Sequence, residues 1–236
     1  MQSPRTALAL LERPAPVDPA VFPRAAEPLE EVTAAEPADA GTAFGFALSR
    51  LVERDDARPL VFVTTTLWLH ERGRPFARGL ERWGVRSPRS IWVKTQRQAE
   101  ALWALEEALK SGAVAGGIAT VEAPSFVATR RLDFAARAGA ATGLILRAEA
   151  GGDLSAARRR WRIRCAGSAT HPDDERAPGR VRMIAELVRR RDGPPGAWSL
   201  EQDDETGRLG VAAELAGHGL DETWTGQDGR LASQAA

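Results

Sequence analysis

The chain has 236 residues, and its 32 lysines and arginines balance its 32 aspartates and glutamates. A formal net charge of zero excludes a protein that is drawn to nucleic acid or membranes by a global electrostatic field. The one cysteine, Cys165, excludes an internal disulfide. No apolar run reaches the roughly 18 residues that a membrane-spanning helix needs, so we expect no membrane contact and a cytoplasmic location.

Changes in composition divide the chain into three parts. Residues 1–28 are rich in proline and alanine and are predicted to form an N-terminal extension or linker. Residues 29–212 alternate short apolar runs with helical periods and are predicted to form one domain. Residues 213–236 carry few apolar side chains, so a loosely ordered C-terminal tail is expected there.

The predicted domain alternates strands with helices. The clearest helix is "TQRQAEALWALEEALKSG", with Thr95 as a plausible N-cap and Gly112 as a stop. Such alternation predicts an α/β fold with a mainly parallel sheet and helices on both faces. The five predicted parallel strands are "LEEVT", "RPLVFVTTT", "RSIWVK", "AVAGGIATV" and "TGLILRA".

The pattern changes to antiparallel strands near the end of the domain. In "RRRWRIRC", Trp161, Ile163 and Cys165 alternate with arginines, which is typical of a strand with one buried face. "GRVRMIAELVRRR", the turn "DGPPG" and "AWSLEQ" then predict a hairpin, so an antiparallel extension follows the parallel core. Five tryptophans at core-like positions are expected to be buried: Trp83, Trp92, Trp103, Trp161 and Trp198.

The order of these elements resembles the RecA recombinase core, and the span from Leu29 to Leu209 resembles the ImuA family in particular. ImuA proteins are encoded with ImuB, a homologue of Y-family polymerases, and with an error-prone DNA polymerase III alpha subunit. The resemblance implies a role in SOS-induced mutagenesis and translesion DNA repair, with ImuB, RecA and that alpha subunit as partners. It rests on "GFALSRLV", "RPLVFV", "ALWALEEALKSGAVAGGIATVEA", "RRLDFAARAGAATGLILR" and "RRDGPPGAWSLEQDD".

A remnant of a phosphate-binding loop precedes the first predicted long helix. A working loop has the pattern GxxxxGK[ST], in which backbone N–H groups surround the phosphates and the lysine neutralises their charge. Gly41, Thr42 and Gly45 remain here, but the first lysine of the chain is Lys94. The segment is therefore interpreted as a degenerate phosphate loop that keeps its position between a strand and a helix.

Two acids that the RecA resemblance leads us to expect are also missing. Thr64–Thr66 follow the second strand, where the family has a glutamate that orients water. Ala119 and Thr120 occupy the neighbourhood of the magnesium-binding Walker B aspartate, and Glu122 is the nearest acid. Without the lysine and both acids, little would stabilise a phosphoryl-transfer transition state. We therefore expect no catalytic residue, no cofactor and no metal, and hence no enzyme.

Two features are candidates for binding. The arginines of "ARRRWRIR" can track phosphates beside an aromatic ring or form a solvated outer face, and the strict alternation favours the second interpretation. Any DNA contact is therefore expected to be weak or indirect. The candidate patch consists of Arg158, Arg160, Arg162 and Arg164.

Trp224, in the polar segment "LDETWTGQDG", is interpreted either as a partner-docking residue or as a contact with its own domain.

Two alternative functions are compatible with a RecA-like core. An active ATP-dependent recombinase would need the nucleotide chemistry described above. A cell-division inhibitor like SulA has a reduced RecA-like core and would not need the full hairpin "RVRMIAELVRRRDGPPGAWSL", so its presence argues against this alternative.

Overall fold

The computed structural model describes residues 21–52, 56–85, 87–148, 154–171, 173–174, 176–191 and 193–212. The helices are α1 (Ala40–Val52), α2 (Thr66–Arg72), α3 (Ala77–Arg82), α4 (Gln98–Lys110) and α5 (Phe126–Ala138). The strands are β1 (Leu29–Ala34), β2 (Leu60–Thr65), β3 (Ser90–Thr95), β4 (Gly116–Thr120), β5 (Thr142–Arg147), β6 (Arg159–Cys165), β7 (Arg182–Arg190), β8 (Gly196–Gln202) and β9 (Leu209–Val211).

The described strands form one sheet in the order β3-β2-β4-β5-β1-β6-β7-β8-β9. Neighbouring strands from β3 to β6 pair in parallel, whereas β7, β8 and β9 each pair antiparallel with the strand before them. The predicted fold class is confirmed: a mainly parallel sheet is flanked by helices and continued by antiparallel strands.

Helices cover both faces of the parallel half of the sheet. On one face, α1 buries Phe46, Leu48 and Leu51 against side chains from the sheet. On the other face, α4 and α5 contribute Leu105 and Leu132 to a second apolar cluster. Because both faces are covered, β1, β2, β4 and β5 are buried at every residue, including Glu30 and Glu31 of β1.

The antiparallel half has one buried face and one exposed face, on which charged side chains stand beside Ile184 and Val188 of β7. Trp161 and Ile163 of β6 have no solvent exposure, as their alternation predicts, and they pack with side chains of β7 and β8. The prediction for Cys165 was wrong, because its thiol is exposed where β6 ends. Cys165 is the last residue of β6, and its backbone N–H bonds to the carboxylate of Asp39.

The last residues of the predicted linker pack against the domain. Phe22 is 5% exposed and lies 5.8 Å from the Trp161 ring and 5.6 Å from the Trp198 ring, measured between ring centroids. This anchoring places residues 21–28 on the α1 side of the sheet, so the packed part of the chain begins before Leu29.

The helix α2 and the exposure of two tryptophans differ from the sequence predictions. The short helix α2 was not predicted, although the hydroxyl of Thr65 caps it by accepting a hydrogen bond from the backbone N–H of Trp68 at 3.2 Å. Trp161 and Trp198 are buried as expected, but Trp92 on the edge strand β3 is 42% exposed and Trp103 on α4 is 60% exposed. Helical phase alone did not show that α4 turns Trp103 away from the sheet.

Candidate functional site

The connection between β1 and α1 is where the phosphate-loop remnant was predicted. β1 ends at Ala34, a short 3-10 turn covers Pro37–Asp39, and α1 begins at Ala40. Gly41 and Thr42 therefore lie in the first turn of the helix, and Gly45 lies in its interior. The remnant residues belong to a regular helix, and the connection that precedes them is short.

A carboxylate occupies the N-terminal end of α1. Asp39 is 7% exposed, and its Oδ1 atom accepts a hydrogen bond of 2.8 Å from the backbone N–H of Cys165. Its Oδ2 atom accepts a second bond, of 3.1 Å, from the backbone N–H of Glu36. A negative group at this position complements the helix dipole, which is the same attraction that a bound phosphate would use. The sequence signal was an aspartate directly before an apolar helical pattern.

The two glycines of the remnant have different surroundings. A Cβ atom added to Gly45 would lie 2.4 Å from Cζ2 of Trp83, so this glycine allows the indole to pack directly on α1. A Cβ atom added to Gly41 would have no neighbour within 4 Å. The packing of Trp83 against α1 is therefore sufficient to explain why residue 45 is glycine. Nothing in the described structure explains why residue 41 is glycine.

Threonine hydroxyls stand at the ends of β2 and β4, where the resemblance leads one to expect acids. The hydroxyl of Thr120 donates a hydrogen bond of 2.8 Å to the hydroxyl of Thr64, and both side chains are buried. The hydroxyl of Thr66 donates to the backbone oxygen of Thr95 at 3.2 Å. These hydroxyls link neighbouring strands, and none of them can carry the negative charge that binds magnesium or activates water.

Glu122 lies beside a cleft at the carboxyl ends of the parallel strands. Its side chain is exposed, and Gln98 holds it through a backbone bond of 3.0 Å and a side-chain contact of 3.4 Å. The cleft has a volume of about 760 Å³, and its lining comes from α2, from the start of α4 and from the ends of β4 and β5. The lining includes Trp68, Arg72, Arg97, Glu122 and Arg147.

A buried ionic cluster lies behind the remnant and was missed by sequence reasoning. The side chains of Glu30 and Arg50 have no solvent exposure, and Arg50 donates to both carboxylate oxygens at 2.9 and 3.0 Å. The indole Nε1–H of Trp161 donates to the same carboxylate at 2.9 Å. The available signal was "LEE" in a strand that was expected to be buried, because a buried carboxylate needs a partner.

The same cluster fastens the N-terminal segment to the domain. The guanidinium of Arg50 donates to the backbone oxygens of Pro23, Arg24 and Ala25 at 2.9, 2.7 and 3.1 Å. Burial by itself raises the pKa of Glu30, but the charge and hydrogen bonds of Arg50 outweigh burial and leave that pKa below its ordinary value. The carboxylate is therefore ionised and paired at neutral pH.

The predicted arginine patch is mostly neutralised by facing acids. Arg160 lies 2.6 Å from Glu31, Arg162 lies 2.6 Å from Glu186, and Arg158 lies 3.8 Å from Glu27. The exposed Arg164 forms no ion pair among the described residues, and Trp224 lies outside them. Arg159, which was not in the predicted set, points inward and donates to the backbone oxygen of Ala25 at 2.6 Å.

Comparison with known proteins identifies relatives along most of the chain. Protein ImuA of Caulobacter vibrioides strain NA1000 is 35% identical over 191 residues, which cover 72% of this chain and 73% of that protein. Protein ImuA of Caulobacter vibrioides strain ATCC 19089 gives the same values. The chain belongs to the ImuA family. No established protein-family profile matches the sequence of this ImuA-family chain.

A solved structure also resembles part of this ImuA-family chain. The crystal structure of SulA from Pseudomonas aeruginosa aligns with a TM-score of 0.41 at 26% identity, over 52% of this chain and 98% of SulA.

Within the described ranges, no group of three histidine, cysteine, aspartate or glutamate side chains is arranged to hold a metal ion. None of the helices that the structure describes is both long enough and apolar enough to span a bilayer.

Proposed function

We propose that the chain is a non-catalytic, RecA-like accessory protein of SOS-induced mutagenesis and translesion DNA repair. It acts in the cytoplasm by binding ImuB, and it also contacts RecA and the error-prone DNA polymerase III alpha subunit. Membership of the ImuA family supports the assignment to this mutagenesis system. The surroundings of the phosphate-loop remnant support the non-catalytic role.

The single observation that carries the proposal is the position of Asp39. Asp39 directly precedes α1, its carboxylate accepts hydrogen bonds from the backbone N–H groups of Glu36 and Cys165, and a phosphate bound at this helix end would meet its negative charge. Two unit charges of the same sign about 4 Å apart repel each other by about 4 kcal/mol at the effective dielectric constant near a protein surface. Arg50, which lies on the same helix, already pairs with Glu30 and faces the interior.

The ends of β2 and β4 support the same conclusion. Thr64 and Thr120 bond to each other, and the nearest acid, Glu122, is exposed and held by Gln98. Phosphoryl transfer depends on positioned charges that stabilise the transition state. A protein without them acts by what its surface binds, and we assign partner binding to the cleft and Arg164, and also to Trp224, which lies outside the described residues.

ATP turnover by the purified chain, with and without single-stranded DNA, tests the absence of catalysis. We expect turnover to stay at the level of the protein-free buffer, while RecA protein assayed alongside shows that the assay works. The variants Thr42→Ala and Glu122→Gln provide the matched comparison, with Thr206→Ala on an exposed turn as the control. Turnover that is lost in either of the first two variants but kept in Thr206→Ala would show an active site and contradict the proposal.

Affinity capture with the full chain tests the proposed partners. Purified ImuB and purified RecA are each presented to the immobilised chain, and we expect ImuB to be retained. Retention should decrease for Arg164→Glu if the patch is part of the contact. Capture of the tubulin-like cell-division protein, with neither ImuB nor RecA retained, would instead assign a SulA-like function.

A further inference from the structure

Large apolar side chains are exposed on the outer surface of α4 and α5. Trp103 on α4 is 60% exposed, and Val127 and Phe134 on α5 are 67% and 58% exposed. Helices that cover a sheet normally expose polar side chains on their outer face. Exposed apolar side chains that cluster on one surface mark a site of association with another protein.

Trp103 and Phe134 belong to one continuous surface. Arg131 and Glu106 join the two helices at 2.8 Å, and Trp103 lies three residues before Glu106 while Phe134 lies three residues after Arg131. Residues three apart on a helix are neighbours on its surface. Each helix leads from one parallel strand to the next, and both pack on the same face of the sheet, so they run side by side in the same direction.

The two helices carry opposite charges. α4 has three glutamates and one lysine, a formal charge of −2, whereas α5 has three arginines and one aspartate, a formal charge of +2. Ion pairs within the chain use Glu106 with Arg131 and Asp133 with Arg137. The exposed Glu107 has no ion-pair partner in the described structure. Arg130 lies over the Phe134 ring at 5.7 Å and also has no carboxylate partner there.

We propose that this surface binds a second copy of the chain in a two-fold symmetric dimer. A two-fold axis parallel to the helices places α4 of one copy on α5 of the other, and the reverse contact follows from the symmetry. The negative helix then meets the positive helix twice, and Glu107 of each copy faces Arg130 of the other. Trp103 covers the exposed Val127, so the apolar and charged parts of the surface are both self-complementary.

The size of the surface sets the expected strength of the dimer. Each helix has 13 residues and is about 20 Å long, and packed helices lie about 10 Å apart. A contact made by only two such helices on each side is at the small end of stable protein interfaces. We therefore expect a reversible dimer whose proportion rises with protein concentration. This inference does not depend on whether the chain hydrolyses ATP.

Sedimentation equilibrium of the full chain over a wide concentration range measures the dissociation constant. We expect Trp103→Ala and Phe134→Ala each to raise that constant by about tenfold, as for central aromatic residues of an interface. The matched aromatic control is Phe76→Ala, which removes a 72% exposed ring from the N-cap of α3 on the opposite face of the sheet. Urea unfolding shows that each variant is folded.

A charge exchange tests the symmetry of the contact. Glu107→Arg alone and Arg130→Glu alone should each weaken the dimer, and the double variant should restore it, while Glu205→Arg on a distant turn should have no effect. A chain that is monomeric at every concentration would overturn the proposal, as would a dimer that is insensitive to all of these changes. Dimerisation only after removal of residues 213–236 would assign the surface to that segment and also overturn it.

Discussion

Arg50 and Glu30 form an ion pair of 2.9 Å although neither side chain has any solvent exposure. The pair joins α1, the helix that contains the phosphate-loop remnant, to the central strand β1. It also connects both elements to the N-terminal segment, through the three backbone oxygens that Arg50 contacts. Burial of any one of these charges alone would be costly. Within the cluster, each charge has an ionic partner or a hydrogen-bond partner.

Removal of one partner from this pair should strongly destabilise the fold. Glu30→Gln and Arg50→Met should each lower the free energy of unfolding by about 3–5 kcal/mol, because each removes the closest ionic partner of a buried charge. The double variant should lose less than the sum of the two single losses. Urea unfolding followed by tryptophan fluorescence measures all three values, and additive losses would contradict the coupling.

The exposed pair of Arg97 and Glu100 provides the control for this experiment. These side chains lie 2.6 Å apart, but they are 79% and 37% exposed. Water already solvates both groups, so Glu100→Gln should leave the unfolding midpoint nearly unchanged. A large effect at this pair would mean that burial is not the reason for the effect at Glu30.

Stability should fall in acid partly because of Glu30. Its folded-state pKa lies below the ordinary value of 4.5, so its contribution is present above that value and is lost as the pH falls through the folded-state pKa. Between about pH 6 and about pH 3, the wild type should therefore lose more stability than Glu30→Gln. The measurement is urea unfolding at each pH, and parallel curves for the two proteins would refute this account.

The two glycines of the remnant should respond in opposite directions to the same substitution. Gly45→Ala should destabilise the protein by about 1–3 kcal/mol, since its Cβ would overlap the Trp83 ring. Gly41→Ala should be neutral or should stabilise by up to about 1 kcal/mol, because alanine favours the helix and its Cβ meets nothing. Thermal unfolding of both variants measures the difference, and equal losses would show that Gly45 is not needed for packing.

The arginines of β6 should differ in how they affect DNA binding. Arg164 has no ion pair among the described residues, whereas Glu186 neutralises Arg162. Arg164→Ala should therefore reduce the slope of log affinity against log salt by about 1, and Arg162→Gln should reduce it less. Fluorescence anisotropy with labelled single-stranded DNA at several salt concentrations gives both slopes. Equal effects would mean that Glu186 does not neutralise its partner.

The sequence was sufficient where one local pattern determined the outcome. Alternation in β6 predicted the burial of Trp161 and Ile163, and the continuous apolar run of β2 predicted a strand covered on both faces. The order of these elements also predicted the sheet, since parallel strands joined by helices have few possible arrangements. These features depend on neighbours in the chain.

The sequence was insufficient where the decisive contact came from a distant segment. Cys165 continues the buried phase of β6 but is exposed at the end of that strand, and Trp103 has a core-like spacing but faces solvent. Gly45 was assigned to the phosphate-loop remnant, yet its close neighbour is Trp83 at the C-cap of α3. No local pattern indicated that Glu30 would bond to a tryptophan 131 residues later.

That separation between Glu30 and Trp161 has a consequence for biosynthesis. Trp161 follows Glu30 at a separation of 131 residues, and at the usual speed of a bacterial ribosome that stretch takes on the order of ten seconds to synthesise, during which the strand around Glu30 lacks its indole donor. The buried Glu30 carboxylate therefore lacks one of its hydrogen bonds until β6 has been synthesised. Chains that stop before β6 should be cleared by proteases or held by chaperones.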